Sequence, residues 1–223
     1  MKIAMYIATF AMVVAAVFTP PTVAGMIQFV GFSLVIGVVF FTVSKIIIRS
    51  RWRRSDTPGN WIYRTPDGRE AEGPVVNRKR HGHWVVRLAD GSMAEGPFVN
   101  DKENGYWIEQ YANGGGAMGA YVNGKQHGHW TIRDANGPVL EGPFVNGKRH
   151  GHWVERVVDG VVQEGPYVNG KQHGHWVWRR ANGDVFEGPM VKGKQHGRWV
   201  QTDADGRERT PVVWKNGKLT ADP

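Results

Sequence analysis

The chain has 223 residues, no cysteine and a formal net charge of +8. Without cysteine, disulfides and thiolate-bound metals are excluded. A positive excess suggests nucleic acid, but Lys2, Lys45, Arg49, Arg51, Arg53 and Arg54 supply six charges before the first acid, Asp56, leaving 22 Lys+Arg against 20 Asp+Glu from Ser55 onward. The even balance after Ser55 argues against nucleic acid as a partner.

Ile3 to Thr19 carries no charge, Pro20-Pro21 interrupts it, and Gly25 to Ser44, then Lys45, then Ile46 to Ile48 form a second apolar run. A hydrocarbon core about 30 Å thick needs roughly 20 apolar residues as helix. The sequence therefore predicts a transmembrane anchor over residues 1–50, with helices at about 3–19 and 25–48. Two buried soluble helices are the competing reading, disfavoured by two such runs in succession. The first run also reads as a cleaved signal peptide, with Lys2 as its charged start and Thr22-Val23-Ala24 as a small-residue exit. The diproline instead favours the tight turn of a helical hairpin. Either way Arg49, Arg51, Arg53 and Arg54 follow the second run, and the positive-inside rule then predicts repeats facing the cytoplasm, from the inner membrane of a bacterium. Trp52 suits the interfacial aromatic position. Gly31, Ser33 and Gly37 suit a helix contact or ordinary membrane-helix composition. Residues 51–58 read as a basic juxtamembrane linker.

From Gly59 the chain repeats itself. Tryptophan recurs at Trp61, Trp84, Trp107, Trp130, Trp153, Trp176 and Trp199, every interval being 23 residues. Asp67-Gly68 to Asp205-Gly206, Glu72 to Glu187 with one gap, and the lysines Lys79, Lys102, Lys125, Lys148, Lys171 and Lys194 keep the same phase. About seven units result, followed by a tail in which Trp214-Lys215-Asn216-Gly217-Lys218 slips by one residue. A fixed period of this size means a repeat architecture. Each unit holds two turn signals. The Asp-Gly or Asn-Gly pair is a strong hairpin cue, because both central residues of a type I′ turn need positive φ; the second is Asn-Gly-Lys. Short runs rich in Val, Ile, Trp, Phe and Tyr between them read as strands. No unit has room for a helix, so the fold class is an all-β repeat, an antiparallel hairpin meander over 59–223. Equivalent tryptophans then lie two strands, or roughly 9.5 Å, apart. Phe98, Tyr121, Phe144, Tyr167 or Met190 from the intervening strand fills that gap, predicting one continuous aromatic spine in which each unit buries its face only against its neighbours.

These residues resemble MORN repeats. The family's unit places a Glu-Gly pair, an Asn-Gly-Lys turn, a His-Gly pair and an Asp-Gly turn at fixed spacings, held here by Glu141-Gly142, Asn146-Gly147-Lys148, His150-Gly151 and Asp159-Gly160. The resemblance covers about Gly59 to the C-terminus. Two positions depart. Tryptophan stands two places after the His-Gly glycine, where the family usually has glycine. The aromatic before Glu-Gly is replaced by Ala71, Ala94, Leu140 and Gln163, with Phe186 alone aromatic. The tryptophan form is similar to a bacterial variant, found in proteins that carry an antitoxin label. The resemblance implies an elongated hairpin array, protein–protein contacts, contact with membrane lipids, no cofactor and no enzymatic activity.

Candidate chemistry is sparse. His81 and His83, His127 and His129, His150 and His152, and His173 and His175 are pairs two apart, sharing one face of a strand. A metal site gathers three or four convergent ligands, whereas these spread along the whole array and read as surface or structural positions. The six lysines follow one set of turns and should line one edge, either to rest on anionic headgroups, each charge adding about 1 kcal/mol, or as a solvated basic edge. Arg64, Arg87, Arg133, Arg156 and Arg179 form another ladder whose use is cross-strand pairing with the glutamates, worth about 0.2–1 kcal/mol each. Unit three is the least regular, with Asp101, Asn104, Tyr106, Tyr111, Gly114-Gly115-Gly116 and Met118 in place of glutamate; it reads as drift or as a local contact site. The expectation is a membrane-anchored scaffold with an unknown protein partner, anionic lipid as the alternative ligand, homo-oligomerisation open, and no catalytic, metal or cofactor site.

Overall fold

A computed structural model describes residues 51–220. The two apolar runs at 3–19 and 25–48 lie outside the described residues. Among the described residues no helix is long and apolar enough to cross a membrane. Twenty-one strands pair antiparallel in one sheet there, and each short two-residue arm pairs with the same preceding strand as the tryptophan strand that follows it. Unit five shows the plan. A strand Gly151–Arg156 carries Trp153, a loop around Asp159-Gly160 reverses the chain, and Val162–Val168 returns beside it. A tight turn at Asn169-Gly170 leads to the short Lys171–Gln172 arm, and the next tryptophan strand, Gly174–Arg179, continues along the same returning strand.

The two turn types differ from the sequence expectation. The true two-residue turn is Asn-Gly-Lys: Asn146 and Gly147 have φ of 52° and 76°, both in the left-handed region that a type I′ turn requires. The Asp-Gly pairs sit in longer loops. In the first, Gly68 N–H donates to Thr65 O and Thr65 N–H to Arg69 O, and Gly68, not Asp67, takes positive φ. That is a three-residue loop, a type I turn closed by a left-handed glycine. Asp159, at φ 65°, is an exception. The His-Gly pair is not a turn either. Between His127 and Trp130 the register shifts, and Gly128 has φ 73°, so this glycine carries a β-bulge.

The bulge explains the Glu-Gly-Pro triplet. Pro166 O accepts from His173 N–H at 2.9 Å and from Trp176 Nε1 at 3.0 Å. Proline, lacking its own N–H, is tolerated in sheets at bulges. The indole that donates to the proline carbonyl lies flat over the preceding glycine. A Cβ on Gly142 would stand 2.4 Å from Trp153 Cδ2, and Gly73, Gly96, Gly119, Gly165 and Gly188 are covered in the same way by Trp84, Trp107, Trp130, Trp176 and Trp199. Glycine is thus required by the ring above it.

The aromatic spine forms. Ring centroids 5.1–6.1 Å apart, nearly all edge-on, run from Trp84 through Phe98, Trp107, Tyr121, Trp130, Phe144, Trp153 and Tyr167 to Trp176. It is not continuous. Met190 interrupts it between Trp176 and Trp199, and Trp199 packs instead with Trp178 and Phe186. Trp61 is only half-buried and stands outside the ladder, because no Glu-Gly-Pro strand precedes it. The expected linker at 51–58 opens with a strand, Arg51–Arg54, paired along Asn60–Arg64. Without it that first repeat strand would leave its edge unpaired. Trp52 packs 5.0 Å from Tyr63 and 6.3 Å from Trp84. In the slipped tail, Trp214 lies opposite Gly197, the register place that Met190 holds opposite Gly174.

Candidate interaction faces

The fold gives one edge and two unlike faces. The edge is made by the type I′ turns. Each turn N–H donates to a carbonyl one unit earlier: Gly124 to Glu103 O, Gly147 to Gln126 O and Gly170 to Arg149 O, all at 2.8 Å. The stitched turns hold Lys79, Lys102, Lys125, Lys148, Lys171 and Lys194 in register, all exposed. Opposite them stand Val76, Val99, Val122, Val145 and Val168, also exposed. The predicted lysine row is therefore an alternating basic and apolar strip.

The outer face carries the second histidine of each pair with the glutamate and arginine ladders. His83, His152 and His175 lie 3.6, 3.7 and 3.4 Å from Glu95, Glu164 and Glu187. Arg156 Nη1 donates to Glu141 Oε2 at 2.7 Å, and Arg179 donates to Glu164. Arg179 holds the Glu164 carboxyl below the usual carboxylate range, with burial opposing it. The expected cross-strand pairing is present, on the diagonal. Such exposed pairs contribute at most about 1 kcal/mol each. Among the described residues no three His, Asp or Glu side chains converge as metal ligands.

The inner face is sealed by the tryptophans, with charges set into it that sequence reading passes over. Arg149, 8% exposed, stacks 4.3 Å from the Trp153 ring. Its Nη1 donates to Glu155 Oε1 at 2.6 Å, which also accepts from Tyr167 OH at 2.9 Å. Unit three repeats the carboxylate without the cation: Glu109, 7% exposed, accepts from Tyr121 OH and Tyr111 OH, both at 3.0 Å, and Glu103 occupies the place of the arginine. Burial raises the Glu109 pKa, the two phenols lower it and the Glu103 charge raises it further. Burial and the Glu109 charge push both phenols up, so they remain donors.

Glu109 yields a pH prediction. A carboxyl raised in the folded state favours folding below its unfolded pKa and loses that contribution as pH rises through the folded value. Denaturant midpoints of wild type and Glu109→Gln should nearly coincide at pH 4, and the variant should become the more stable as pH increases. Measuring the difference between the two chains removes Glu72 and Glu164, whose lowered values act with the opposite sign. Parallel curves would show that Glu109 ionises freely.

Unit three also breaks the outer face. Tyr106 replaces histidine, Met118 replaces glutamate and Ala120 replaces proline. Tyr106, Ile108 and Met118 are exposed by 56%, 38% and 45%. The irregularity seen in the sequence is thus an apolar patch outside and an uncompensated carboxylate inside.

No protein-family model matches the chain. No curated protein matches its sequence either. Among solved structures it is similar to the TCP domain of Drosophila melanogaster SAS-4 (dCPAP), solved with a proline-rich motif of Ana2 (dSTIL). Identity is 12% over 74% of this chain and 91% of that one, with a TM-score of 0.42. The wild-type TCP10 domain of Danio rerio CPAP is similar at 12% identity over 80% of this chain and 98% of that one, with a TM-score of 0.31. Likenesses at this level carry no conclusion about function.

Proposed function

We propose that the array is a membrane-anchored scaffold, a protein-interaction module that presents its outer face to a protein partner. The observation that supports this best is the inequality of the faces. The inner face is closed by its own tryptophans, and the outer face repeats His, Val, Arg and Glu at a constant interval, suited to an extended partner. Residues 3–19 and 25–48 supply the proposed anchor, with the arginines after them favouring the inner membrane of a bacterium and a cytoplasmic array. The resemblance to MORN repeats supports a binding role and assigns no enzymatic one. Photo-crosslinking residues at His152 and Arg179, in the full chain in cells, should capture a discrete protein adduct. Probes at Asp159 and Asp205, on the opposite loops, should not. Adducts equal at both places, or none, would defeat the proposal.

The lysine edge favours a second reading, recognition of anionic headgroups. Its support is the alternation of exposed lysine with exposed valine along one edge. Residues 51–223 should float with anionic vesicles at low salt and lose binding when Lys125, Lys148 and Lys171 become glutamine, each charge contributing about 1 kcal/mol. Vesicle binding that ignores these substitutions would remove the lysine edge from consideration.

A further inference from the structure

On the outer face the arginine and glutamate ladders interlock at one spacing. Arg156 pairs with Glu141 and Arg179 with Glu164, fifteen residues apart in both cases. At that spacing Glu95 should meet an arginine at position 110, where Gln110 stands, and Arg133 should meet a glutamate at position 118, where Met118 stands. Glu95 keeps only His83 at 3.6 Å. Arg133 is exposed and enters no ion pair among the described residues. Glu95 has therefore lost its arginine, as has Glu187 where Thr202 stands, and Arg133 has lost its glutamate.

The placement of Glu95 and Arg133 is symmetrical. Glu95, Ile108, Met118 and Thr131 lie level on four adjacent strands, paired in turn. The strand Met93–Val99 bearing Glu95 flanks the apolar patch on one side, and Lys125–Arg133 flanks it on the other. Arg133 stands two residues beyond the level of Glu95, the same diagonal offset by which Arg156 reaches Glu141. Between them Tyr106 and Met118 replace the histidine and glutamate of other units beside the exposed Ile108, whose position is apolar in most units, and Val122, 45% exposed, extends the patch. Exposed apolar patches rimmed by polar residues mark interaction sites.

We propose that this face of unit three is a self-association surface on which a second copy of the chain stacks, Glu95 of each copy facing Arg133 of the other. A two-fold axis parallel to the strands, between Gly105–Gln110 and Gly116–Val122, does this. It lays Met93–Val99 of one copy over Lys125–Arg133 of the other, with Ile108 over Met118 at the centre. The contact is isologous and closes on itself. The sheets pack about 10 Å apart in the aligned manner of sandwiches. Within one chain Glu95 and Arg133 sit three strand spacings, about 14 Å, apart, so they cannot pair with each other. Charge complementarity thus selects a second copy over residues 1–50 or another protein as the occupant.

The experiment is sedimentation velocity on the full chain in detergent. The expected result is a dimer that Met118→Glu with Tyr106→His weakens at least about tenfold; these substitutions restore the repeat's own residues, so the fold is retained. Glu95→Arg and Arg133→Glu should each weaken the dimer about tenfold or more, and the two together should restore it, which only pairing between chains allows. A monomer at about 100 µM would overturn the proposal. So would a dimer indifferent to Met118→Glu, or a double charge exchange without recovery. A monomer that captures another protein refutes the self-association alone, and a dimer without such adducts refutes the scaffold reading alone.

Discussion

Trp153→Ala is expected to lower the unfolding free energy by about 3–5 kcal/mol, the range for removing a large buried aromatic. Trp153 is completely buried. It is held by Phe144 and Tyr167 at 5.1 and 6.1 Å, by the Arg149 guanidinium at 4.3 Å and by the hydrogen bond to Pro143 O at 2.9 Å. Truncation opens a cavity at the centre of the spine and takes the ring away from a buried arginine. It also removes one of the two donors to Pro143 O, leaving His150 N–H. A linear array has no second core that compensates. Trp61→Ala is the internal control: that ring is half-buried and outside the ladder, and a loss of about 1 kcal/mol is expected. Denaturant titrations followed by circular dichroism compare the two. Equal midpoints for Trp153→Ala and wild type would show that the spine does not hold the array together.

Gly142→Ala should cost nearly as much, about 3 kcal/mol, although it adds a single methyl. The new Cβ falls 2.4 Å from Trp153 Cδ2. Neither side yields easily: Gly142 lies within the ladder to Gly128–Arg133, and the indole is tied through Nε1. Overpacking of this kind costs about 1–3 kcal/mol, occasionally more. The two substitutions should interact. In the double variant the added methyl enters the space vacated by the indole, so the combined loss should be smaller than the sum of the single losses. Strict additivity would mean that ring and glycine do not meet.

The period, the strands and the spine were legible because they are local and recur. The outcome for the turns was not. Asn146-Gly147 and Asn113-Gly114 are the same dipeptide, yet the first forms a two-residue turn and the second, in which Gly114 alone takes positive φ, a wider loop. Loop length decides this, and the dipeptide does not encode it. The exclusion of Trp61 does have a sequence signal. Glycine stands eleven places before each of the repeat's in-phase tryptophans from Trp84 to Trp199, whereas Ser50 stands eleven before Trp61. The Arg149–Glu155–Tyr167 cluster has no such signal. Its phase runs Arg80, Glu103, Gln126, Arg149, Gln172 and Gln195, a mixture without a rule, and only the strand alternation places it on the sealed face. In unit three, the replacement of Glu by Met118 was visible in the sequence. The simultaneous isolation of Glu95 and Arg133 required the register.

The bond from each spine indole, Trp84 to Trp199 at the 23-residue interval, to a carbonyl ten residues earlier, with the turn bonds one unit back, has a consequence for biosynthesis. Each spine tryptophan meets its acceptor, its glycine platform and one neighbouring ring on chain that precedes it. Sequence separations stay short for an all-β protein, the regime in which ordering is fast. A ribosome adding roughly 5–20 residues per second delivers one repeat every few seconds, and each can settle on its predecessor before the next is complete. Assembly of the array can thus proceed as vectorial growth from the N-terminal side, with the newest unit as the only frayed end.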